Sequence, residues 1–336
     1  MLKKNILLVF LFLVIISCST KRNSFKNRTY NKINTDLNIL FNGNEALKEV
    51  KNSLEEKFIE DFTLPIRVEK VPIILKNDTL QIKDESTVKK DGLRGITGFM
   101  ILDEDEKEKS LTGLEKVIYK ANKSIAYHSM LIDGKEYNSS IYRADKMIGI
   151  VRFYRGQSIE AIEAFEYAKE IAKKITKKNE IDLWIAKTYM QLGNYKKAES
   201  IQLSLIKNGN KDIIKKALLD YIQLKLDQEK YNEVLGLLKR EFFLEKNKNK
   251  KARLLFLTAQ VEDILNLKKE SLADYQKVRK FKPNYQIRLK AYTNYIFAKD
   301  TILPLEEIKL SKQLNRYLNN SIYFEFKDEI YYALAL

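Results

Sequence analysis

Similar stretches recur along residues 149–283, and this recurrence constrains the fold more than any other feature of the sequence. Equivalent positions lie 37, 36 and 37 residues apart, at Ala161, Ala198, Val234 and Ser271. A near-constant interval of about 20–50 residues is typical of arrays in which each unit buries its apolar face against the next. Because only 4 prolines and 11 glycines interrupt the chain, long helices joined by short turns are expected. The sequence therefore predicts an all-α array of helical hairpins.

The first two repeats carry small and aromatic residues at the offsets of a tetratricopeptide repeat. In the first repeat, Gly149 and Ala161 would let two helices approach closely, and Phe165 would fill the gap between hairpins. The predicted repeat-packing residues are Gly149, Gly156, Ala161, Phe165, Ala168, Ala186, Tyr189, Gly193, Tyr195 and Ala198. The third and fourth repeats lose the small residues, so splayed or longer hairpins are expected there. A bundle of amphipathic helices without a true repeat is the alternative.

The predicted array extends over residues 111–336. Arg288–Lys299 and Pro304–Leu318 form a fifth predicted hairpin, since proline suits a first helical turn. The final residues, DEIYYALAL, have the pattern of the first helix of a further hairpin, so the last repeat is expected to be incomplete. The predicted fold class is thus a tetratricopeptide-like helical-hairpin solenoid with a short irregular or β insertion near residues 67–98.

The region before the array is predicted to contain one more hairpin, at residues 36–64, whose helices meet at Asn42-Gly43-Asn44. A strand and loop insertion follows at residues 65–110. Within it, Arg67–Leu75 alternates like a strand, whereas Lys76–Asp91 is polar and is interpreted as a loop or short hairpin.

The amino end predicts the cellular address. Two lysines precede the apolar run Ile6–Ile16, and Ile15-Ile16-Ser17-Cys18 closes it. This pattern resembles a bacterial lipoprotein signal peptide, residues 1–17. That resemblance implies cleavage before Cys18, diacylation of its sulfur and a further acyl chain, such as palmitate, on the new amino end. An ordinary signal peptide or a spanning helix is the alternative, but the run is short for a bilayer.

Residues 18–35 are then a tether behind the lipid, and the residues after the cysteine refine the address. Ser19 differs from the aspartate that retains enterobacterial lipoproteins in the inner membrane, and the acidic tag of surface-exported lipoproteins is missing. We therefore expect a lipid-anchored protein of the outer membrane that faces the periplasm.

Composition argues against most enzyme chemistry. Cys18 is the single cysteine and His128 the single histidine. A lipidated Cys18 leaves no thiol for a disulfide, a thiolate metal site or a nucleophile, and zinc is rarely bound by carboxylates alone. We predict no catalytic residue, no cofactor and no metal.

Individual residues that could carry chemistry have simpler interpretations. The run Asp103-Glu104-Asp105-Glu106 lacks the glycine and ligand spacing of a calcium loop and is predicted to start a helix. We expect His128 at a helix end against Tyr137, and Trp184 in the core. The net charge of +16 indicates solvated helix faces or contact with anionic headgroups and acidic proteins, and we expect no nucleic acid or small-molecule substrate.

Several landmarks together resemble the SprE/PorW family, the tetratricopeptide lipoproteins of gliding motility and type IX secretion. They are NRTYNKINTDLNILFNGNEAL at Asn27–Leu47, DFTLPIRVEKV at Asp61–Val71, HSMLIDGKEYN at His128–Asn138 and the repeat opening at Ala144. The resemblance runs through the whole chain after Cys18, but family members are longer and Lys76–Asp91 is unlike them. It implies an outer-membrane lipoprotein scaffold whose partners are periplasmic or outer-membrane secretion proteins.

The predicted function is therefore a non-enzymatic docking surface held at the membrane by acyl chains. A glycan-uptake type of ligand-binding lipoprotein is one alternative, and a helical-repeat lipoprotein of outer-membrane assembly is another. An enzyme is the least favoured class.

Overall fold

The fold is built almost entirely from helices. The computed structural model describes residues 19–58, 60–70, 104–281, 283–299 and 304–336. The α-helices in chain order are α1 (Phe25–Thr35), α2 (Asn44–Lys57), α3 (Glu104–His128), α4 (Tyr142–Tyr154), α5 (Ser158–Ile171), α6 (Ile175–Gln191), α7 (Tyr195–Asn208), α8 (Lys211–Asp227), α9 (Tyr231–Leu244), α10 (Lys248–Ile264), α11 (Lys268–Val278), α12 (Tyr285–Phe297), α13 (Pro304–Leu318) and α14 (Lys327–Ala335). Short 3₁₀ segments cover Arg279–Phe281 and Ser321–Phe326.

In unit 1 consecutive helices from α2 to α7 pack against one another, and in unit 2 α9 to α12 do so, which confirms the predicted all-α class of serial helical hairpins. The chain divides into two compact units that alternate along the sequence. Unit 1 contains the described residues 19–58 and 104–217, and unit 2 contains residues 60–70 and the described part of 218–336. No helix among the described residues is both long and apolar enough to cross a bilayer.

Close helix approach in unit 1 depends on small residues at the predicted positions. A Cβ atom placed on Gly149 would lie 2.5 Å from the Phe165 ring, so α4 and α5 could not pack as they do with a larger residue there. Ala161, Phe165 and Ala168 are fully buried in the same core. Real Cβ contacts are longer than this, and the native density of a protein core leaves no room for the shift.

The same closing turn joins the two helices of four successive hairpins. One residue in each turn has positive φ, namely Gly156 (73°), Gly193 (72°), Glu229 (58°) and Asn266 (57°). In each case the next amide donates to a carbonyl five residues earlier, at 2.8–2.9 Å, which is the pattern of a Schellman motif. The third and fourth hairpins therefore close through the same turn as the first two. Glutamate and asparagine adopt the left-handed conformation there at a small conformational cost.

The first helices of unit 1 differ from a hairpin that closes at a loop. Asp36–Gly43 is π-helical and leads directly into α2, and Gly43 has helical dihedral angles of −75° and −41°. A Cβ on Gly43 would lie 2.8 Å from the Met147 sulfur. The glycine therefore permits packing against α4 rather than a turn. Helix α2 packs against α3, where a Cβ on Gly113 would lie 2.4 Å from Val50.

A two-stranded antiparallel hairpin follows α3, with β1 at Leu131–Ile132 and β2 at Lys135–Glu136. Its turn residues Asp133 and Gly134 both have positive φ, as a type I′ turn requires. The predicted strand at Arg67–Leu75 has no strand conformation in its described part, residues 67–70. Its remainder, the insertion to residue 98, the signal peptide and Cys18 lie outside the described residues.

Candidate protein-binding site

An extended segment of the chain, Glu60–Lys70, lies against helices α8 and α10 of unit 2. We refer to it as the extended segment. Its side chains alternate in burial, with Ile66 at 1% and Val68 at 6% relative exposure and their neighbours more exposed. Pro65 restricts the backbone before them to extended conformations. Unit 2 therefore holds this part of its own chain in an irregular conformation, with a turn at residues 62–63 and bends at residues 64, 68 and 69.

Two glutamine side chains pair with the backbone of the extended segment. Gln260 on α10 accepts a hydrogen bond from the Ile66 amide at 2.9 Å and donates to the Leu64 carbonyl at 3.0 Å. Gln223 on α8 accepts from the Val68 amide at 2.8 Å. A primary amide presents the same donor and acceptor groups as a neighbouring β-strand. These contacts recognise an extended backbone and do not depend on the side chains of the peptide.

Arg253 on α10 adds a contact that depends on charge. Its two terminal nitrogens donate to the two carboxylate oxygens of Glu60, at 2.6 Å and 2.5 Å, and its Nε donates to the Arg67 carbonyl at 2.8 Å. Both charged side chains are almost completely buried. A buried bidentate pair is short and directional, and a neutral residue in place of the glutamate would leave the guanidinium unpaired.

A second ion pair and an aromatic contact complete the surface. Arg67 lies 3.4 Å from Asp227 of α8. Burial raises the pKa of Asp227, and the Arg67 charge opposes that rise. Phe62 packs edge-on against Phe256, with ring centroids 6.0 Å apart. We call Gln223, Arg253 and Gln260 the clamp residues.

The predicted repeat-packing residues lie elsewhere, in unit 1. Five of them are fully buried, namely Ala161, Phe165, Ala168, Ala186 and Ala198, whereas Gly156 and Gly193 lie in turns. Gly149 faces the Phe165 ring, and that ring stacks on Trp184 with ring centroids 6.2 Å apart. Tyr189 and Tyr195 are half-buried. The expectation that Trp184 belongs to the core agrees with its edge contacts to Phe153 and Tyr154.

His128 lies at the end of α3, as expected, within a polar network that the sequence did not predict. Its Nδ1 is 3.2 Å from Asn31 of α1, and burial lowers the pKa of the imidazole. Asn138, fully buried, donates to the Thr35 hydroxyl at 2.8 Å and to the His128 carbonyl at 2.9 Å. The segments NRTYNKINTD and HSMLIDGKEYN are thus in direct contact. Their polar residues satisfy one another, and this supports a structural role.

Other polar clusters offer less for a ligand. A pocket of about 320 Å³ in unit 2 is lined by Lys239, Glu262, Asp274 and Lys277 among others. Burial raises the pKa of both carboxyl groups, and Lys239 pairs with Glu262 at 2.7 Å. Nowhere in the described residues do three or more His, Cys, Asp or Glu side chains form a group able to hold a metal.

The clamp residues had a weak signal in the sequence. Gln223 and Gln260 each interrupt an apolar helix, in YIQLKL and LFLTAQVE. A polar residue buried on such a helix requires a partner, but nothing local indicates that the partner is the backbone of residues 64–68. The chain matches no protein-family model and no curated protein.

Proposed function

We propose that the protein is a non-enzymatic adaptor that binds extended segments of partner proteins on the clamp face of unit 2. The bound extended segment is the observation that carries this proposal. Gln223 and Gln260 form hydrogen bonds with its backbone, and Arg253 pairs with its acidic residue Glu60. Main-chain hydrogen bonds give affinity in such complexes, and pockets for alternate side chains give specificity.

The expected ligand follows from the contacts of the extended segment. It has a carboxylate that reaches Arg253 and, six and eight residues later, two aliphatic side chains that fill the sites of Ile66 and Val68. The residue between these two carries a positively charged side chain that pairs with Asp227. A partner with this pattern would replace the chain's own segment, since both require the same clamp residues.

The setting of this adaptor is proposed from the amino end and from the family resemblance. Acyl chains on Cys18 would anchor it in the outer membrane, facing the periplasm. Its partners would then be periplasmic or outer-membrane proteins of type IX secretion and gliding motility. Several acyl chains hold a protein far more firmly than one, since each buried methylene contributes about 0.8 kcal/mol.

A peptide in trans tests the clamp. A fluorescent peptide with the sequence of residues 60–70 is titrated into the parent chain and into Ile66→Asn/Val68→Asn, which weakens the internal competitor but keeps the clamp residues. We expect the variant to bind the peptide about tenfold or more tightly than the parent, because displacement no longer costs the burial of two aliphatic side chains. Ile159→Asn/Ile175→Asn, at two exposed positions of unit 1, is the matched control and should bind as the parent does. Failure of the opened variant to bind the peptide would contradict the proposal.

A cellular experiment tests the setting. Acylated protein is purified from the envelope of the source bacterium with and without Arg253→Met, and subunits of the type IX export machinery are identified by mass spectrometry. Recovery of these subunits with the parent protein, and their loss with the Arg253→Met variant, would support the proposal. Normal secretion in a strain that lacks the gene, with no such subunit recovered, would count against it.

A further inference from the structure

Helix α1 buries short polar side chains and exposes its apolar ones. Asn27, Asn31 and Thr35, spaced four residues apart on one face, are buried. Each is hydrogen-bonded: Asn31 Nδ2 donates to the Asn27 carbonyl at 2.9 Å, and the Thr35 hydroxyl donates to the Asn31 carbonyl at 2.8 Å. Helices of soluble proteins normally bury their apolar face and expose their polar face. The buried face is therefore explained by its hydrogen bonds, whereas the outer face is not.

The outer face carries a continuous apolar stripe. Tyr30, Ile33, Leu37 and Phe41 follow one another at intervals of three or four residues, so they share one side of α1 and its π-helical continuation. All four are exposed, Phe41 by 72%. Single exposed apolar residues need no explanation, but a row of large ones indicates a surface that is covered by something else. We call these four residues the outer stripe.

The charges around the outer stripe indicate what covers it. Residues 19–35 contain five basic residues and no acidic one. The basic residues, all exposed, are Lys21, Arg22, Lys26, Arg28 and Lys32. The next acidic residue, Asp36, is paired with Arg143 at 2.7 Å. An amphipathic helix with aromatic and aliphatic residues on one side and lysine or arginine beside them is typical of a helix that lies in the surface of a membrane.

We propose that α1 and its continuation lie on an anionic bilayer, with the outer stripe inserted among the acyl chains and the basic residues at the headgroup phosphates. A protein partner would have to supply a long apolar face rimmed by acidic residues, whereas an anionic bilayer has both features everywhere. The position of α1, seven residues after Cys18, places it within reach of the same membrane. The inference goes beyond the adaptor function and does not depend on acylation. It replaces the predicted free tether by a folded membrane contact.

Vesicle binding by a chain without acyl groups tests the proposal. The polypeptide 19–336, which contains every described residue and the cores of both units, is floated with vesicles of phosphatidylcholine alone or mixed with equal parts of phosphatidylglycerol. We expect binding to the anionic vesicles, and a loss of about fivefold or more in Ile33→Ser/Leu37→Ser. Lys26→Gln/Lys32→Gln should weaken binding to the anionic vesicles and leave the neutral ones unchanged.

The matched control is Ile159→Ser/Ile175→Ser, which removes two isoleucines, more exposed than Ile33 and Leu37, from other helices of unit 1. It should bind vesicles as the parent does, and circular dichroism melting should show that every variant folds. Absence of binding to anionic vesicles would overturn the proposal. Equal binding by the parent and the Ile33→Ser/Leu37→Ser variant would also overturn it, and so would an equal loss in the control. The peptide titration on the clamp is independent of all these outcomes.

Discussion

Replacing Arg253 by methionine should release the extended segment from unit 2. The substitution keeps an apolar stem but removes three hydrogen bonds, two of them to the buried carboxylate of Glu60. Removing one partner of a buried ion pair typically costs about 3–5 kcal/mol, because the other charge stays without compensation. The segment can escape this cost by leaving the clamp face, so we expect local release rather than unfolding of unit 2.

Hydrogen exchange at the Ile66 and Val68 amides measures this release directly. Both amides donate to clamp residues, and a loss of about 3–5 kcal/mol corresponds to exchange that is faster by about 10²–10⁴. Lys250→Met is the matched control. Lys250 lies 3.9 Å from Glu69 of the same segment, but its side chain is 63% exposed, compared with 10% for Arg253. An exposed pair contributes about 1 kcal/mol at most, so the control should change exchange by less than about tenfold.

The double variant Glu60→Gln/Arg253→Met separates the charge effect from the packing effect. The double variant leaves no charge unpaired. Its increase in amide exchange should therefore be smaller than the product of the increases in Glu60→Gln and in Arg253→Met. Exchange in Arg253→Met within about threefold of the parent would refute the reasoning, because an ion pair of that energy cannot vanish without an effect on the amides beside it.

Three further predictions concern buried residues of unit 1, one of them with a control in unit 2. Burial raises the pKa of Asp145 to about 7 from an ordinary value of 3.8, so the folded state favours the protonated carboxyl group. The contribution of Asp145 to the free energy of unfolding is therefore fully present below pH 4 and is lost as the pH rises through 7. Urea unfolding of Asp145→Asn should therefore show a gain of about 2–4 kcal/mol at pH 8 and almost none at pH 4, and equal effects at both would contradict this. Gly149→Ala should cost about 1–3 kcal/mol because the methyl group meets the Phe165 ring, whereas Gly236→Ala, with open space around it, should gain up to about 1 kcal/mol in thermal melts. Asn138→Leu should cost about 2–4 kcal/mol in the same melts, since it removes three side-chain hydrogen bonds from a fully buried site, and a cost below 1 kcal/mol would show that water replaces them.

The hairpins of the array could be predicted from the sequence because their determinants are local. The spacing of Gly149, Ala161 and Phe165 reflects one contact between neighbouring helices, and the turn at Gly156 needs a residue that tolerates positive φ. The turns at Glu229 and Asn266 have the same geometry without glycine, so the loss of the small residue did not mean the loss of the turn. The Asp133-Gly134 turn was also readable from its dipeptide but was not predicted.

The clamp could not be predicted, because its contacts join residues 155–196 positions apart. The alternation beginning near Arg67 did indicate an extended backbone, and Ile66 and Val68 are buried in alternation. What the pattern could not supply is the partner. The segment pairs with no strand, and two glutamine side chains bind its backbone amides instead. Periodicity describes the conformation of a segment and carries no information about the distant groups that satisfy it.

The early position of the extended segment makes unit 2 discontinuous, with practical consequences for fragments. Glu60 precedes Arg253 by 193 residues. A fragment that begins near Leu218 would therefore lack the extended segment and leave the side chains of the clamp residues without these partners. Such a fragment should be less soluble than the parent, and adding the missing undecapeptide to the refolding buffer should restore it. During synthesis the extended segment leaves the ribosome before helices α8 and α10, so it stays unbound until those helices have been made.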